Sequence, residues 1–335
     1  MNKDILMKTV ARLTMSPKGI LAIDESLGTC RGRFEKLGVP FTEEKRREYR
    51  DLLVTTPDIE EYISGYILVH ETAFQKTKDN IAFTDILTQK GICVGVTAYT
   101  GYSVFDIVDG VKEEITEGLA DLPSRLKDYK RQGAVFSKWR EMIRIGENFP
   151  TADFLNESAK RLAQYAYMCQ MEDIVPIVEP EIMIDGNHSI EKCYEVTAHN
   201  LDIVFSELKS AGIYIPGIIL KTSMVLPGKE SSDQASREKI AEMTVKCLKE
   251  NVPDNIGGIV FLSGGQSDEG ATVNLNAMHQ DGPLPWSLSF SYGRAIQNGA
   301  LKSWAKNPED ISGAQKLLVE AARNNSLASV GEYKK

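Results

Sequence analysis

The sequence predicts an α/β fold in which eight parallel strands alternate with helices and close into a single (β/α)8 barrel of the TIM type. Short apolar runs rich in Ile and Val recur along the chain, each followed by a longer amphipathic stretch. That alternation marks a parallel sheet with helical crossovers. Eight such runs are present, the number that closes a barrel. No long Pro, Gly or Ser linker and no low-complexity tract interrupts them, so residues 1–335 are expected to form one domain.

The first candidate strand, GILAID (19–24), ends on Asp24, and YISGYILVH (62–70) and ICVGVTA (92–98) follow. The fourth, AVFSKWR (134–140), carries Lys138 and Arg140, and the fifth, IVPIVEPE (174–181), carries Glu179 and Glu181. GIILKTS (217–223) holds Lys221, GGIVFLSGG (257–265) holds Ser263, Gly264 and Gly265, and WSLSFSYG (286–293) leads through Gly293 into Arg294. Between them, NESAKRLAQYAYMCQ and REKIAEMTVKCLKEN repeat apolar residues at helical spacing. An open doubly wound sheet is disfavoured, because neither G-x-G-x-x-G nor G-x-x-x-x-G-K-[ST] occurs.

With 42% hydrophobic and 26% charged residues, the chain has the balance of a globular protein with a full core. A net charge of -8 and the lack of a Lys/Arg cluster free of acids argue against a nucleic-acid partner. No stretch approaches the length of a membrane span, and the opening segment has no cleavable leader pattern. The five cysteines are widely separated and lack C-x-x-C spacing, which points to a reducing, cytoplasmic setting. Four histidines, His70, His188, His199 and His279, show no ligand spacing, so neither a metal nor an organic cofactor is expected.

In a barrel the reacting groups stand at the carboxyl ends of the strands. Side chains alternate along a strand, so Lys138 and Arg140 share a face, as do Glu179 and Glu181. The apolar residues between these charges belong under the helices, which puts the charges in the interior. Three acids, Asp24, Glu179 and Glu181, would balance Lys138, Arg140 and Lys221 and leave Arg294 for a substrate phosphate. A structural ion-pair network is the simpler alternative, though it accounts poorly for charges drawn from so many strand ends.

Lys221 closes an apolar run, where burial and a neighbouring cation would favour the neutral amine, a nucleophile for a carbonyl. Expelling water from the resulting adduct needs an acid. Mutual repulsion between Glu179 and Glu181 is expected to hold one of them protonated. Asp24, beside Lys138, is the candidate base for carbon–carbon cleavage. Ser263, Gly264, Gly265, Gly293 and Arg294 would cradle a phosphate.

GILAIDES, FSKWR, IVPIVEPEI, ILKTSMV, FLSGGQS and SFSYGRAIQ, in this order and spacing, resemble class I fructose-bisphosphate aldolases over residues 5 to 333. The resemblance implies a metal-free cleavage of a phosphorylated ketose by a homotetramer. Lys221 would be the imine-forming lysine, Glu179 the dehydration acid, Glu181 its partner, Asp24 the cleavage base and Lys138 the charge that positions them. Arg140, Ser26 and Arg33 would join the phosphate-cradle residues as substrate contacts.

Two positions depart from the family. GVTAYTG places Thr97 where a cation is usual, and Gly32 stands where lysine is common. Fewer cations at the far end of the sugar weaken the hold on a distal phosphate, so fructose 1,6-bisphosphate, the expected substrate, has a monophosphate or another aldehyde partner as its alternative. Tyr333 precedes the position of the family's mobile tail, so it is not expected to carry the tail tyrosine's proton-transfer role. A weakly active scaffold or binding protein would have lost Lys221 or a carboxylate, and all are present.

Overall fold

A computed structural model describes residues 1–280 and 282–334. Its barrel strands are β1 (Gly19–Ala22), β2 (Ile63–Leu68) and β3 (Cys93–Thr97), then, beyond a hairpin of β4 (Gly101–Val108) and β5 (Val111–Glu117), β6 (Ala134–Ile143), β7 (Val175–Ile182), β8 (Ile219–Thr222), β9 (Gly258–Phe261) and β10 (Leu288–Tyr292). They close in the order β1-β10-β9-β8-β7-β6-β3-β2, and every pairing is parallel. Each expected strand is found, most of them shorter than the apolar run that announced it. Residues such as Asp24, Ser223 and Ser263 lie just beyond the last ladder bonds, which leaves their side chains in the barrel mouth.

The helices α1 (Lys3–Leu13), α2 (Leu27–Glu35), α3 (Glu43–Val54), α4 (His70–Ala73), α5 (Phe83–Gln89) and α6 (Leu122–Arg131) precede β6. The later ones are α7 (Ala152–Met171), α8 (Ile190–Ser210), α9 (Arg237–Asn251), α10 (Asp268–Met278), α11 (Arg294–Lys306) and α12 (Ile311–Ala328). The segment REKIAEMTVKCLKEN coincides with α9. Most of the long helices open on a Ser, Thr, Asn or Asp whose side chain accepts a first-turn N–H, as Thr151 does for α7 and Ser236 for α9. Helix α11 departs from this pattern: its N-cap is Gly293, which has no side chain to do so.

Two apolar cores follow from strand alternation. The lumen holds Ile20, Ala22, Ile67, Cys93, Phe136, Val175, Ile177, Ile219 and Val260, and Leu6, Val10 and Leu13 of α1 plug its lower end. Phe136 fills the centre because Gly95 lies beside it; a Cβ there would sit 2.3 Å from the ring. The larger core, including Trp139, Tyr165 and Phe261, lies between the sheet and the helices. The lumen set runs through residues 136, 177 and 219, so the same parity carries Lys138, Arg140, Glu179, Glu181 and Lys221 inward. The hairpin β4–β5 is not among the elements expected from the sequence, because residues 101–117 carry no long uninterrupted apolar run.

Candidate active site

The apolar lumen gives way at its upper end to a layer of charges. Register sets it: Thr97 lies opposite Lys138, and Arg140 opposite Glu179. Lys138 Nζ is 2.7 Å from Asp24 Oδ2 and 3.0 Å from Glu179 Oε2, and Lys221 Nζ is 3.1 Å from Glu179 Oε1. Arg140 pairs with Glu181. Asp24, Lys138, Glu179, Glu181 and Lys221 are all buried. The expected balance of three acids against three bases is therefore realised as actual pairs. Arg294, the remaining cation, is exposed and has no ion pair among the described residues.

The electrostatics differ from the sequence reading in one respect. Glu179 and Glu181 do not act as a mutually repelling pair, because successive inward positions on β7 meet different cations. Burial would raise the Glu179 carboxyl, but Lys138, Lys221 and Arg140 outweigh it and hold it below its ordinary value. Burial likewise opposes ionisation of Asp24, yet the Lys138 and Lys221 ammoniums, with the Thr97 hydroxyl, bring it to about 2. Lys138 is desolvated too, but Asp24 and Glu179 push it well above the ordinary lysine value. It is a fixed cation, whereas Lys221 has a single carboxylate contact, and that carboxylate is shared.

Asp24 opens towards a cavity of about 880 Å3, lined by Ser26, Leu27, Arg46, His70, Glu71, Thr97, Tyr99, Tyr102, Arg125 and Tyr129 among others. Thr97 Oγ1 donates to Asp24 Oδ2. Tyr99 lies under the Lys138 ammonium, 5.1 Å from its ring centroid, and Tyr102 packs beside it with centroids 5.5 Å apart. Sequence reasoning missed the aromatic wall because Tyr99 precedes, and Tyr102 belongs to, the unforeseen hairpin. The YTGY pattern between two apolar runs was the available signal.

Arg33 and Ser26 are engaged elsewhere. The Arg33 guanidinium bonds Glu25, Gln297 at 3.2 Å and Asn298 at 3.3 Å, and Glu25 is also held by Arg50 at 2.8 Å. A phosphate reaching Arg33 would therefore compete with the Glu25 carboxylate for its guanidinium. Ser26 lines the cavity but its hydroxyl caps α2.

Across the mouth, Ser263 is buried at the end of β9, and Gly264 and Gly265 follow with φ of +49° and +84°, a turn open to residues without a Cβ. Beside it, Gly293 leaves the first N–H groups of α11 without a side-chain acceptor, and Arg294 begins that helix. Uncapped N–H groups, the helix dipole and an unpaired guanidinium could together hold an anion. Tyr333 lies elsewhere, its backbone N–H donating to Asn276 of α10 at 2.9 Å. Among the described residues, no group of three or more His, Cys, Asp or Glu is placed to hold a metal ion.

A closed parallel barrel with a buried Lys221–Glu179–Lys138 chain of ion pairs and a row of small residues and Arg294 at its carboxyl-terminal rim fits a (β/α)8-barrel lyase of phosphorylated sugars. Residues 5–335 match the family described as fructose-bisphosphate aldolase class-I. The chain belongs to that family. It is 47% identical over its whole length, and over the whole of the relative, to a probable fructose-bisphosphate aldolase class 1 of Xanthomonas axonopodis pv. citri. It is 45% identical over 98% of its length to the chloroplastic fructose-bisphosphate aldolase 3 of Arabidopsis thaliana, covering 83% of that chain. A solved structure of Plasmodium falciparum fructose-bisphosphate aldolase, in complex with TRAP and a small-molecule inhibitor, superposes with a TM-score of 0.96 at 41% identity, over 99% of this chain and 96% of that one.

Proposed function

We propose that the protein cleaves fructose 1,6-bisphosphate reversibly to dihydroxyacetone phosphate and glyceraldehyde 3-phosphate through an imine on Lys221, the reaction of glycolysis and gluconeogenesis. The observation that carries this reading is the shared carboxylate: Glu179 lies 3.1 Å from Lys221 and 3.0 Å from Lys138 in a buried lumen. Glu179 takes a proton from Lys221, the freed amine adds to the ketone carbon, and one amine proton passes to the former carbonyl oxygen to give a carbinolamine. Glu179 then returns the proton to the departing hydroxyl, which leaves as water. Lys138 keeps its charge and stabilises the anionic forms of Glu179 and Asp24.

Asp24, an anion at every physiological pH, next accepts the proton of the hydroxyl beyond the scissile bond. The carbon–carbon bond breaks, its electrons pass to the iminium as an enamine, and the aldehyde leaves. Protonation of the enamine carbon and hydrolysis release the second product and restore Lys221. Glu181 holds Arg140 beside the relay. Ser263, Gly264, Gly265, Gly293 and Arg294 bind the phosphate next to the ketone, a role supported by the uncapped start of α11.

A second reading concerns the far phosphate. Arg46 in the mouth is bound bidentately to Glu71 at 2.7 and 3.0 Å, and Arg125 is spent on two backbone carbonyls and on Asp121 at 3.0 Å. Together with Thr97 and the two tyrosines, this favours cleavage of a ketose 1-phosphate alongside the bisphosphate. A homo-oligomer, a tetramer by resemblance, and a cytoplasmic setting belong to the same proposal. Five free, buried cysteines support a reducing compartment, and no helix among the described residues is long and apolar enough to cross a membrane.

The test is mass analysis after borohydride reduction with fructose 1,6-bisphosphate in excess EDTA, with a cleavage assay and Lys221→Met as control. An adduct on Lys221 with EDTA-resistant cleavage is expected. An adduct with slow cleavage transfers the assignment to the monophosphate, and no adduct with any ketose phosphate removes the aldolase mechanism.

A further inference from the structure

One buried carboxyl takes no part in the relay. Glu141 follows Arg140 on β6, so it faces the back of the strand, where it is fully buried. No Lys or Arg nitrogen lies within ion-pair distance of it among the described residues. Two N–H groups hold it instead: the Trp139 indole donates to Oε1 at 2.8 Å, and the Thr116 backbone N–H to Oε2 at 3.1 Å. Burying a carboxylate without a cation costs free energy that these two hydrogen bonds only partly offset.

Thr116 connects Glu141 to the mouth. It belongs to β5, its hydroxyl donates to the Arg140 carbonyl at 2.5 Å, and its cross-strand partner in the hairpin is Tyr102. Tyr102 packs on Tyr99, whose ring carries the Lys138 ammonium. Trp139, the other donor, lies between Tyr99 and Tyr165, at centroid distances of 6.4 and 5.5 Å. Both ends of the Glu141 contact therefore return to Lys138, one through the strand and one through the aromatic wall.

We propose that Glu141 is a positioning residue for the reaction: from the back of β6 it ties the β4–β5 hairpin to the strand bearing Lys138 and Arg140, and so sets the aromatic wall of the mouth against Lys138. The proposal rests on the aldolase reading of the site. The charged and titratable groups around the contact are few. Arg161 of α7 donates to the Thr116 carbonyl at 3.0 Å and is itself paired with Glu157 at 2.9 Å and Glu117 at 3.7 Å. Arg125 of α6 holds the Gly118 carbonyl, Tyr165 packs on Trp139, and Arg140 turns its guanidinium inward to Glu181. Burial pushes the Glu141 carboxyl up to about 7, against the two N–H donors and Arg161. Above that pH both oxygens accept as a carboxylate; below it one of them carries a proton, so the hydrogen bonding of the tie changes through this range.

The experiment compares wild type, Glu141→Gln and Trp139→Phe/Glu141→Gln for kcat and KM from pH 6 to 9, with borohydride trapping on Lys221 in each. Glu141→Gln keeps one acceptor for two donors, and at pH 8 its kcat/KM is expected to fall at least fivefold with the inflection near pH 7 abolished. Removing the indole in the double variant frees the amide oxygen for Thr116 and is expected to recover most of the loss, a rescue that a merely structural role would not give. Wild-type kcat/KM and an unaltered pH profile in Glu141→Gln would overturn the proposal. Absence of trapping in wild type would instead sink the aldolase reading. If Glu141→Gln does not fold, hydrogen exchange of the Thr116 amide in wild type decides: a change in its protection between pH 6 and pH 8 larger than that of the neighbouring hairpin amides supports the tie, and a change no larger than theirs overturns it.

Discussion

Lys138 is held by Asp24 and Glu179 together, so its removal strands the buried Asp24 carboxylate and leaves Glu179 with Lys221 alone. Lys138→Met is expected to abolish cleavage and to cost on the order of 3–5 kcal/mol in urea unfolding. Adding Asp24→Asn should recover part of that stability without activity, which separates the structural from the chemical share. Protonation acts on two residues with opposite sign. Asp24 is depressed from 3.8 to about 2, so the stability it contributes is present above about pH 4 and is lost as the pH falls towards 2. Glu141 is raised from 4.5 to about 7, so the folded state binds its proton more tightly than the unfolded chain does, and stability falls as the pH rises through that window. The difference amounts to roughly 3 kcal/mol between pH 5 and 8.5. Urea unfolding at the two pH values should show wild type losing about that much relative to Glu141→Gln, and parallel losses would exclude the assignment.

At the scale of elements, the barrel separates its lower plug from its upper chemistry. Leu6, Val10 and Leu13 of α1 seal the lumen on the side opposite the charges. Leu6→Ala is therefore expected to cost about 2–5 kcal/mol in unfolding and to leave KM unchanged. The turn after β9 behaves in the reverse way. At Gly265, with φ of +84°, an added Cβ would meet the Lys229 ammonium at 2.9 Å and the Ile184 side chain at 3.1 Å. Gly265→Ala should raise KM for the phosphorylated sugar several-fold through a distorted cradle, at a stability cost of about 1–2 kcal/mol, as steady-state kinetics and thermal unfolding can check. The hairpin β4–β5 is the element whose role the linear pattern concealed. Its residues alternate weakly because much of it is exposed, while Thr116 and Tyr102 act through partners on other elements.

For the molecule as a whole, the tetramer expected from the resemblance is checked by sedimentation, which should give about four times the 37.2 kDa chain mass. The fold was legible because each buried strand of a parallel barrel reads as a short apolar run, and IVPIVEPE and GIILKTS mark their strands within a residue or two. The identities of Asp24, Lys138, Arg140, Glu179, Glu181 and Lys221 as one inward-facing set were legible for a related reason, since strand alternation is local and fixes the face. The pairing within that set was not. Whether Glu179 meets Glu181 or two ammoniums depends on the stagger between β6, β7 and β8, and that stagger is set by closing the barrel. Arg33 shows the same limit, because Gln297 and Asn298, which help hold it, lie on a helix more than 260 positions along the chain. The sequence by itself determined the strands, their faces and the residue types available for chemistry, because these follow from backbone geometry and hydrophobicity over a few residues. Only the tertiary structure decided which charges neutralise one another, which arginines are spent, and that Glu141 reaches the mouth from behind its strand, because electrostatics and hydrogen bonds depend on distances between elements that no local pattern encodes.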